Sequence, residues 1–219
     1  MGTSLQPSAD TDLDLDSIKA WVAAHSRQLI IGGAVVIVGG AGILFARQAS
    51  RLKNERAEAA YATAQNSFYS GNRTQAKTEL EQLVSRYPGT NGGTLGGMLL
   101  AQVSYGDGKY DDGIKGLQQL LGEAPTRYHA MIEELIAAGY ADSKRPQEAA
   151  DHYLKAADVA EFPADQDSYR ADAARLLEIA GKADSAKGIW SKLAANLDSP
   201  VSTEAKVRLG ELEAKPAAP

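Results

Sequence analysis

At 219 residues and 44% hydrophobic content the chain is long enough for one domain with its own core and too short for two of ordinary size. A formal net charge of −5 argues against a surface for nucleic acid. With no cysteine there is no disulfide, thiolate metal site, cysteine nucleophile or lipid-bearing cysteine, a composition that suits oxidising and reducing compartments alike.

Residues 1–16 are polar, contain Pro7 and Ser8, and end in Asp10, Asp12, Asp14 and Asp16, which predicts a disordered acidic arm. The alternating aspartates imitate the start of a calcium loop. The turn glycine is missing, however, and Trp21 stands where the closing glutamate belongs, so calcium is not predicted. Asp16 or Ser17 can cap a short juxtamembrane helix over residues 17–28, with Trp21 as an interfacial aromatic.

The stretch LIIGGAVVIVGGAGILF, Leu29 to Phe45, carries no charge and is bracketed by Arg27 and Arg47. As a helix it spans roughly 25 Å, close to a bilayer core of about 30 Å once Ala46 and the arginine stems extend it. A single transmembrane helix is predicted over residues 29–46. A cleaved signal peptide fits less well, because the leader is acidic, the apolar run is long, and Arg47 stands where small residues should mark a cleavage site. Gly32, Gly39 and Ala46 fall seven apart, as do Gly33 and Gly40, so small residues line one face. That face can dock a second membrane helix, or it is ordinary membrane-helix composition.

From Arg47 to residue 213 the pattern is helical, rich in Ala, Leu, Glu, Gln and Lys, and periodic. Ala64, Ala101, Ala137 and Ala174 are 37, 36 and 37 apart, and Ala76, Gly113, Ala149 and Ala186 repeat the spacing. Leu80, Leu117, Tyr153 and Trp190 keep the same register, and Pro88, Pro125, Pro163 and Pro200 are read as closing each unit. A fixed period near 36 signals stacked helix pairs. Gly71-Asn72, Gly108-Lys109, Lys144-Arg145 and Gly181-Lys182 lie between the two apolar runs of each unit, where the chain must reverse. Val201, Ala205, Leu209 and Leu212 form a last apolar stripe suited to a capping helix, and residues 214–219 are a flexible tail.

Few motifs carry chemistry. In NGGTLGG, Asn91 to Gly97, the glycine spacing imitates a phosphate-binding loop, yet Met98 and Leu99 stand where Lys and Ser or Thr are required, so the stretch reads as a link entering a closely packed helix. His129 and Glu133 are one helical turn apart but lack a third metal ligand, and His25 and His152 have no evident partner. No hydrolase, metalloprotease or dinucleotide fingerprint appears, so no catalytic residue, cofactor, metal or small-molecule substrate is predicted.

The repeat positions, as in QAKTELEQLVSRYP of Gln75 to Pro88, resemble the tetratricopeptide repeat over residues 54–199. The likeness departs at two first-helix sites, which hold Ala60, Gly97, Glu133 and Arg170, and then Ser67, Ser104, Tyr140 and Leu177. The resemblance implies an all-α fold: an N-terminal transmembrane helix followed by a degenerate solenoid of four helix pairs and a cap. It also implies a partner-binding groove at first-helix positions, which are here Glu58, Tyr61, Gln65, Phe68 and Tyr69, then Leu95, Met98, Gln102 and Tyr105. Met131, Glu134 and Ala138, and Ser168, Ala171 and Arg175, continue it. The aromatics and methionine of its first half suit an apolar peptide or helix, unless a neighbouring unit or the final helix covers them. The Lys and Asn clamp for a C-terminal carboxylate is absent, with Tyr61, Gln65, Met98 and Gln102 at the matching places.

Arm, span and repeats together, from Ile18-Lys19-Ala20-Trp21 onward, resemble the bacterial membrane-anchored family typified by the ancillary subunit of the Sec translocon. That resemblance implies a single-pass inner-membrane protein with a periplasmic repeat domain that binds complex subunits or exported polypeptides. Arg47, Arg51, Lys53 and Arg56 after the span outnumber Lys19 and Arg27 before it, which by the positive-inside rule argues for the opposite orientation. A constitutive structural subunit of a respiratory or photosynthetic inner-membrane assembly is the alternative.

Overall fold

The computed structural model describes residues 15–214, except for the side chains of residues 15–17 and 28–38. Among the described residues the regular structure is helical: α1 (Leu15–Tyr69), α2 (Arg73–Arg86), α3 (Asn91–Gly106), α4 (Tyr110–Leu121), α5 (His129–Asp142), α6 (Pro146–Val159), α7 (Pro163–Ile179), α8 (Ala183–Ala195) and α9 (Ser202–Ala214). A 3-10 turn, Thr126–Tyr128, precedes α5. Two bodies are distinguished, Met1–Arg51 and Leu52–Pro219.

In the first body, the acidic arm lies outside the described residues, as does the tail in the second. Among the described residues no helix is long and apolar enough to cross a membrane. The span expected over residues 29–46, with Gly32 and Gly33, falls largely on residues 28–38, whose side chains lie outside that description. Beyond them, Gly39 and Gly40 face open space, and Ile43, Leu44 and Phe45 stand exposed on α1, Phe45 at 77%. His25, expected to be without a partner, stacks on Trp21 at 4.7 Å and donates from Nδ1 to the Trp21 carbonyl at 2.9 Å.

In the second body the periodic positions become the core. Ala64, Ala101, Ala137 and Ala174 are buried, as are Ala76, Gly113, Ala149 and Ala186, so paired helices approach closely at small residues. Leu80, Leu117 and Trp190 are fully buried in the gaps between pairs. Three apolar clusters follow one another along the chain, centred on Leu80 and Leu83, on Leu117 and Ile132, and on Trp190 and Leu193. α9 closes the last cluster with buried Ala205 and with Leu209 and Leu212 packed against it.

The four reversals share one geometry. Gly71, Gly108, Lys144 and Gly181 have φ of 82°, 74°, 62° and 73°. In each, the amide of the next residue reaches back five residues: Asn72 to Ser67, Lys109 to Ser104, Arg145 to Tyr140, and Lys182 to Leu177, at 2.8–3.0 Å. This left-handed cap satisfies helix-end carbonyls that would otherwise lack partners. One expectation needs correction: Pro163 does not close α6, which ends at Val159, but is the first residue of α7. A ring without an N–H is tolerated there, since first-turn amides have no intrahelical partner.

The glycine-rich stretch is the start of α3. The Thr90 side chain caps it by accepting from the Gly93 amide at 3.0 Å. A β-carbon on Gly92 would lie 2.5 Å from the Ala57 carbonyl, so the glycine lets α3 cross the backbone of α1.

Candidate functional site

The first-helix positions named above share a repeat register but not an environment. On α1, Tyr61 is half-buried, and its hydroxyl accepts from Gln65 Nε2 at 3.0 Å, the two lying one turn apart. Burial pushes the Tyr61 phenol up, Tyr69 adds to this, and the Gln65 hydrogen bond opposes it. Phe68 is half-buried against the first cluster and meets Tyr69 edge-on at 5.5 Å. Tyr69 is 75% exposed. Together these residues present aromatic edges to solvent, with the Gln65 side chain among them.

On α3, Leu95 is half-buried and Gln102 exposed, whereas Met98 is only 6% exposed, inside the cluster that holds Ile132 and Ile136. Tyr105 is also committed to the interior. Its hydroxyl donates to the Leu135 carbonyl on α5 at 3.1 Å, and its ring occupies space where a β-carbon on Gly113 or Gly139 would lie within 2.5 Å. Burial raises its phenol far above the ordinary value, with Asp142 and Tyr140 adding to the shift. The spacing that marks Met98 and Tyr105 as groove residues does not reveal this, because the glycines that receive the ring come from two other helices.

In the third and fourth units two of the corresponding positions, Glu134 and Arg175, bond to side chains outside the groove set. The Tyr169 hydroxyl donates to Glu134 Oε2 at 2.9 Å, joining α7 to α5. Arg175 forks onto Glu204 of α9 at 2.7 and 2.6 Å and also meets Asp172. The Arg175 guanidinium holds the Glu204 carboxyl below the usual range, and burial pushes Asp172 up against the opposing pull of Arg175. Met131 remains exposed and Ala138 half-buried.

The expected pairing of His129 with Glu133 also changes partners. Glu133 Oε2 lies 2.6 Å from Nδ1 of His152 on α6, the histidine expected to be alone, and His152 stacks on Tyr140 at 5.2 Å. His129 instead sits 3.1 Å from the Ala124 carbonyl. Among the described residues no group of three or more His, Cys, Asp or Glu could hold a metal ion.

A sequence profile of the tetratricopeptide repeat-like domain matches residues 19–214. The chain belongs to that family. The match includes the apolar stretch of α1 as well as the helix pairs. Comparison with curated proteins finds no match. Among solved structures, the tetratricopeptide-like chain is similar to the nearly identical TPR-like repeats of a Podosopora anserina protein described as a kinesin light chain, at 15% identity and a TM-score of 0.54, over 73% of this chain and 86% of that one. It is also similar to a thermophilic TPR protein of Thermus thermophilus, at 20% identity and a TM-score of 0.48, over 86% and 98% of the two chains. The first of these likenesses concerns the fold. In this tetratricopeptide-like body, Phe68 and Tyr69 of α1 are partly exposed, whereas Glu134 and Arg175 are bonded to other side chains.

Proposed function

We propose that this is a non-enzymatic, membrane-anchored tetratricopeptide-like interaction module, accessory to a bacterial inner-membrane complex such as the Sec translocon, which binds partner subunits or exported polypeptides. The observation that carries the reading is the contrast along the first-helix surface. Tyr61, Phe68 and Tyr69 present aromatic edges, with Leu95 and Gln102 beside them in the repeat register, whereas Glu134 and Arg175 are already bonded within the chain. Exposed aromatics with little side-chain entropy to lose are the usual anchors of a protein interface.

The anchor rests on the uncharged run Leu29–Phe45 and on the exposed Ile43, Leu44 and Phe45. A periplasmic repeat domain follows from the resemblance to the translocon family. A reporter fused after Pro219 tests it: activity of a periplasm-dependent reporter supports the orientation, and activity of a cytoplasm-dependent one overturns it. The small residues seven apart, Gly32 and Gly39, Gly33 and Gly40, are the basis of the second reading, a permanent subunit whose span docks another membrane helix.

Purification of the full chain in mild detergent, with identification of co-purifying proteins, separates the two: stoichiometric partners favour the permanent subunit, and a spread of substoichiometric clients favours the accessory. In the same experiment, Tyr61→Ala with Phe68→Ala should abolish partner capture, since each aromatic anchor is worth about 2 kcal/mol or more. Tyr69→Ala, at an exposed position, should weaken capture without disturbing the fold. Retention of every partner by both variants, with helicity intact, would remove the groove assignment.

A further inference from the structure

The repeats can be compared with one another, because three positions of each unit face a common space: two on the first helix, seven residues apart, and one on the second helix, twelve residues later. In the first unit the space is bridged, Ser67 Oγ donating to Glu79 Oε2 at 2.7 Å. In the third it holds Glu133, Tyr140 and His152, bonded and stacked as described above. In the fourth, Leu177 and Ile189 belong to one apolar cluster. The second unit has Gly97, Ser104 and Gly116 at these positions, and the space stays open.

The result is a cleft of about 500 Å³ over α3, walled by α2 and α4. Its size is within the range of sites that take a ligand or a bulky side chain. A β-carbon on Gly116 would meet nothing within 4 Å, so the hollow reaches the wall itself. Along α2 the lining runs from Lys77 to Ser85 and along α4 from Asp112 to Leu120, each over about two helical turns, or about 12 Å, with Pro88 and Glu123 just beyond the helix ends. That length exceeds a single side chain and fits a short stretch of polypeptide. The floor on α3, Gly97, Leu100, Ala101 and Ser104, is apolar but for the Ser104 hydroxyl, which donates to the Leu100 carbonyl at 3.0 Å. The rim carries the carboxylates of Glu81, Asp112 and Glu123 against one ammonium, Lys77, which lies 4.0 Å from Glu81. The surplus of negative charge selects a cationic ligand.

We propose that this cleft is a second docking site, on the second-helix side of the body, for a partner polypeptide segment that presents a large apolar side chain next to Lys or Arg. The apolar group takes the place that Tyr140 and His152 fill in the next unit, and the cation pairs with one of the rim carboxylates, Glu81, Asp112 or Glu123. The site does not depend on the first-helix surface proposed above, since α2 and α4 form its walls.

The decisive variant transplants the neighbouring unit's filling: Ser104→Tyr with Gly116→His. A second variant, Glu81→Gln with Asp112→Asn and Glu123→Gln, alters exposed carboxylates only and leaves the packing untouched. A phage-displayed random dodecapeptide library is panned on the full chain in mild detergent, with counter-selection on the filled variant, and selected peptides are measured by fluorescence anisotropy. The expected result is enrichment of peptides with a large apolar residue beside Lys or Arg. These should bind the parent at least tenfold more tightly than either variant, and equally well to Tyr61→Ala with Phe68→Ala. Failure of any peptide to distinguish parent from filled variant overturns the site, and so does equal binding by both while circular dichroism shows the fold intact. Enrichment of acidic peptides, or undiminished binding by the charge variant, overturns the cationic ligand.

Discussion

Lys144 is the one turn residue among the four repeat reversals that is not glycine, and its replacement tests the repeat geometry directly. Its φ of 62° matches the 82°, 74° and 73° of Gly71, Gly108 and Gly181, and the hydrogen bond that closes its turn, from the Arg145 amide to the Tyr140 carbonyl, has the same 2.9 Å length as its counterparts to within about 0.1 Å. A side chain in this left-handed region costs about 1–2 kcal/mol. Glycine gives back about 0.5–1 kcal/mol through the extra freedom of the unfolded chain. Lys144→Gly should therefore stabilise the protein by about 1 kcal/mol, and because the lysine side chain is exposed, little packing is lost with it. For a body of this size that raises the melting temperature by about 2–4 °C, read by far-UV circular dichroism. The converse substitutions, Gly108→Lys and Gly181→Lys, should lower it by a similar amount. A Lys144→Gly protein that melts at or below the parent, alongside a Gly108→Lys protein that loses nothing, would refute the common cap.

Ala149 is fully buried where α6 meets its neighbours, so Ala149→Leu should overpack that contact and cost about 1–3 kcal/mol; an unchanged melting temperature would remove the repeat register. Arg175→Ala breaks the fork onto Glu204 and should cost about 1 kcal/mol, since the pair is a third exposed and screened, with α9 amides exchanging faster before the rest of the body does. The Glu204 carboxyl is held below its ordinary value, so its contribution is present above the unfolded carboxylate pKa, near about 4.3, and is lost as the pH falls through the lower folded one. Parent and Arg175→Ala should converge in α9 exchange at acid pH, and a constant gap across that range would contradict the assignment. Tyr153 is pushed up to about 12 by burial, with Asp172 and Glu134 adding to the shift. Its contribution is therefore full below the unfolded tyrosine pKa of about 10 and is lost as the pH rises through the folded one. Tyr153→Phe should flatten that alkaline loss, and an unaltered alkaline limb would count against it.

Much of the architecture was legible in the chain alone, because a stacked helix-pair repeat leaves local marks. Close helix contacts need small residues, and Ala64, Ala76 and their counterparts recur at one period; a left-handed reversal favours glycine, and three of four copies supply it. Even Lys144 was locatable by register. The environment of a repeat position is another matter, since it depends on side chains from helices far away in sequence. Met98 and Tyr105 share the register of Tyr61 and Phe68, yet Tyr105 turns inward because Gly113 and Gly139 on two other helices leave room for its ring. His152 finds Glu133 across a helix pair, and Arg175 finds Glu204 on the cap, contacts that spacing within one helix cannot announce. The departures at Gly97 and Ser104 could be read in the sequence, but Gly116 on the second helix and the meaning of all three were decided by packing: with no side chain arriving from a neighbouring helix, the same three positions that are filled in one unit form a cleft in another.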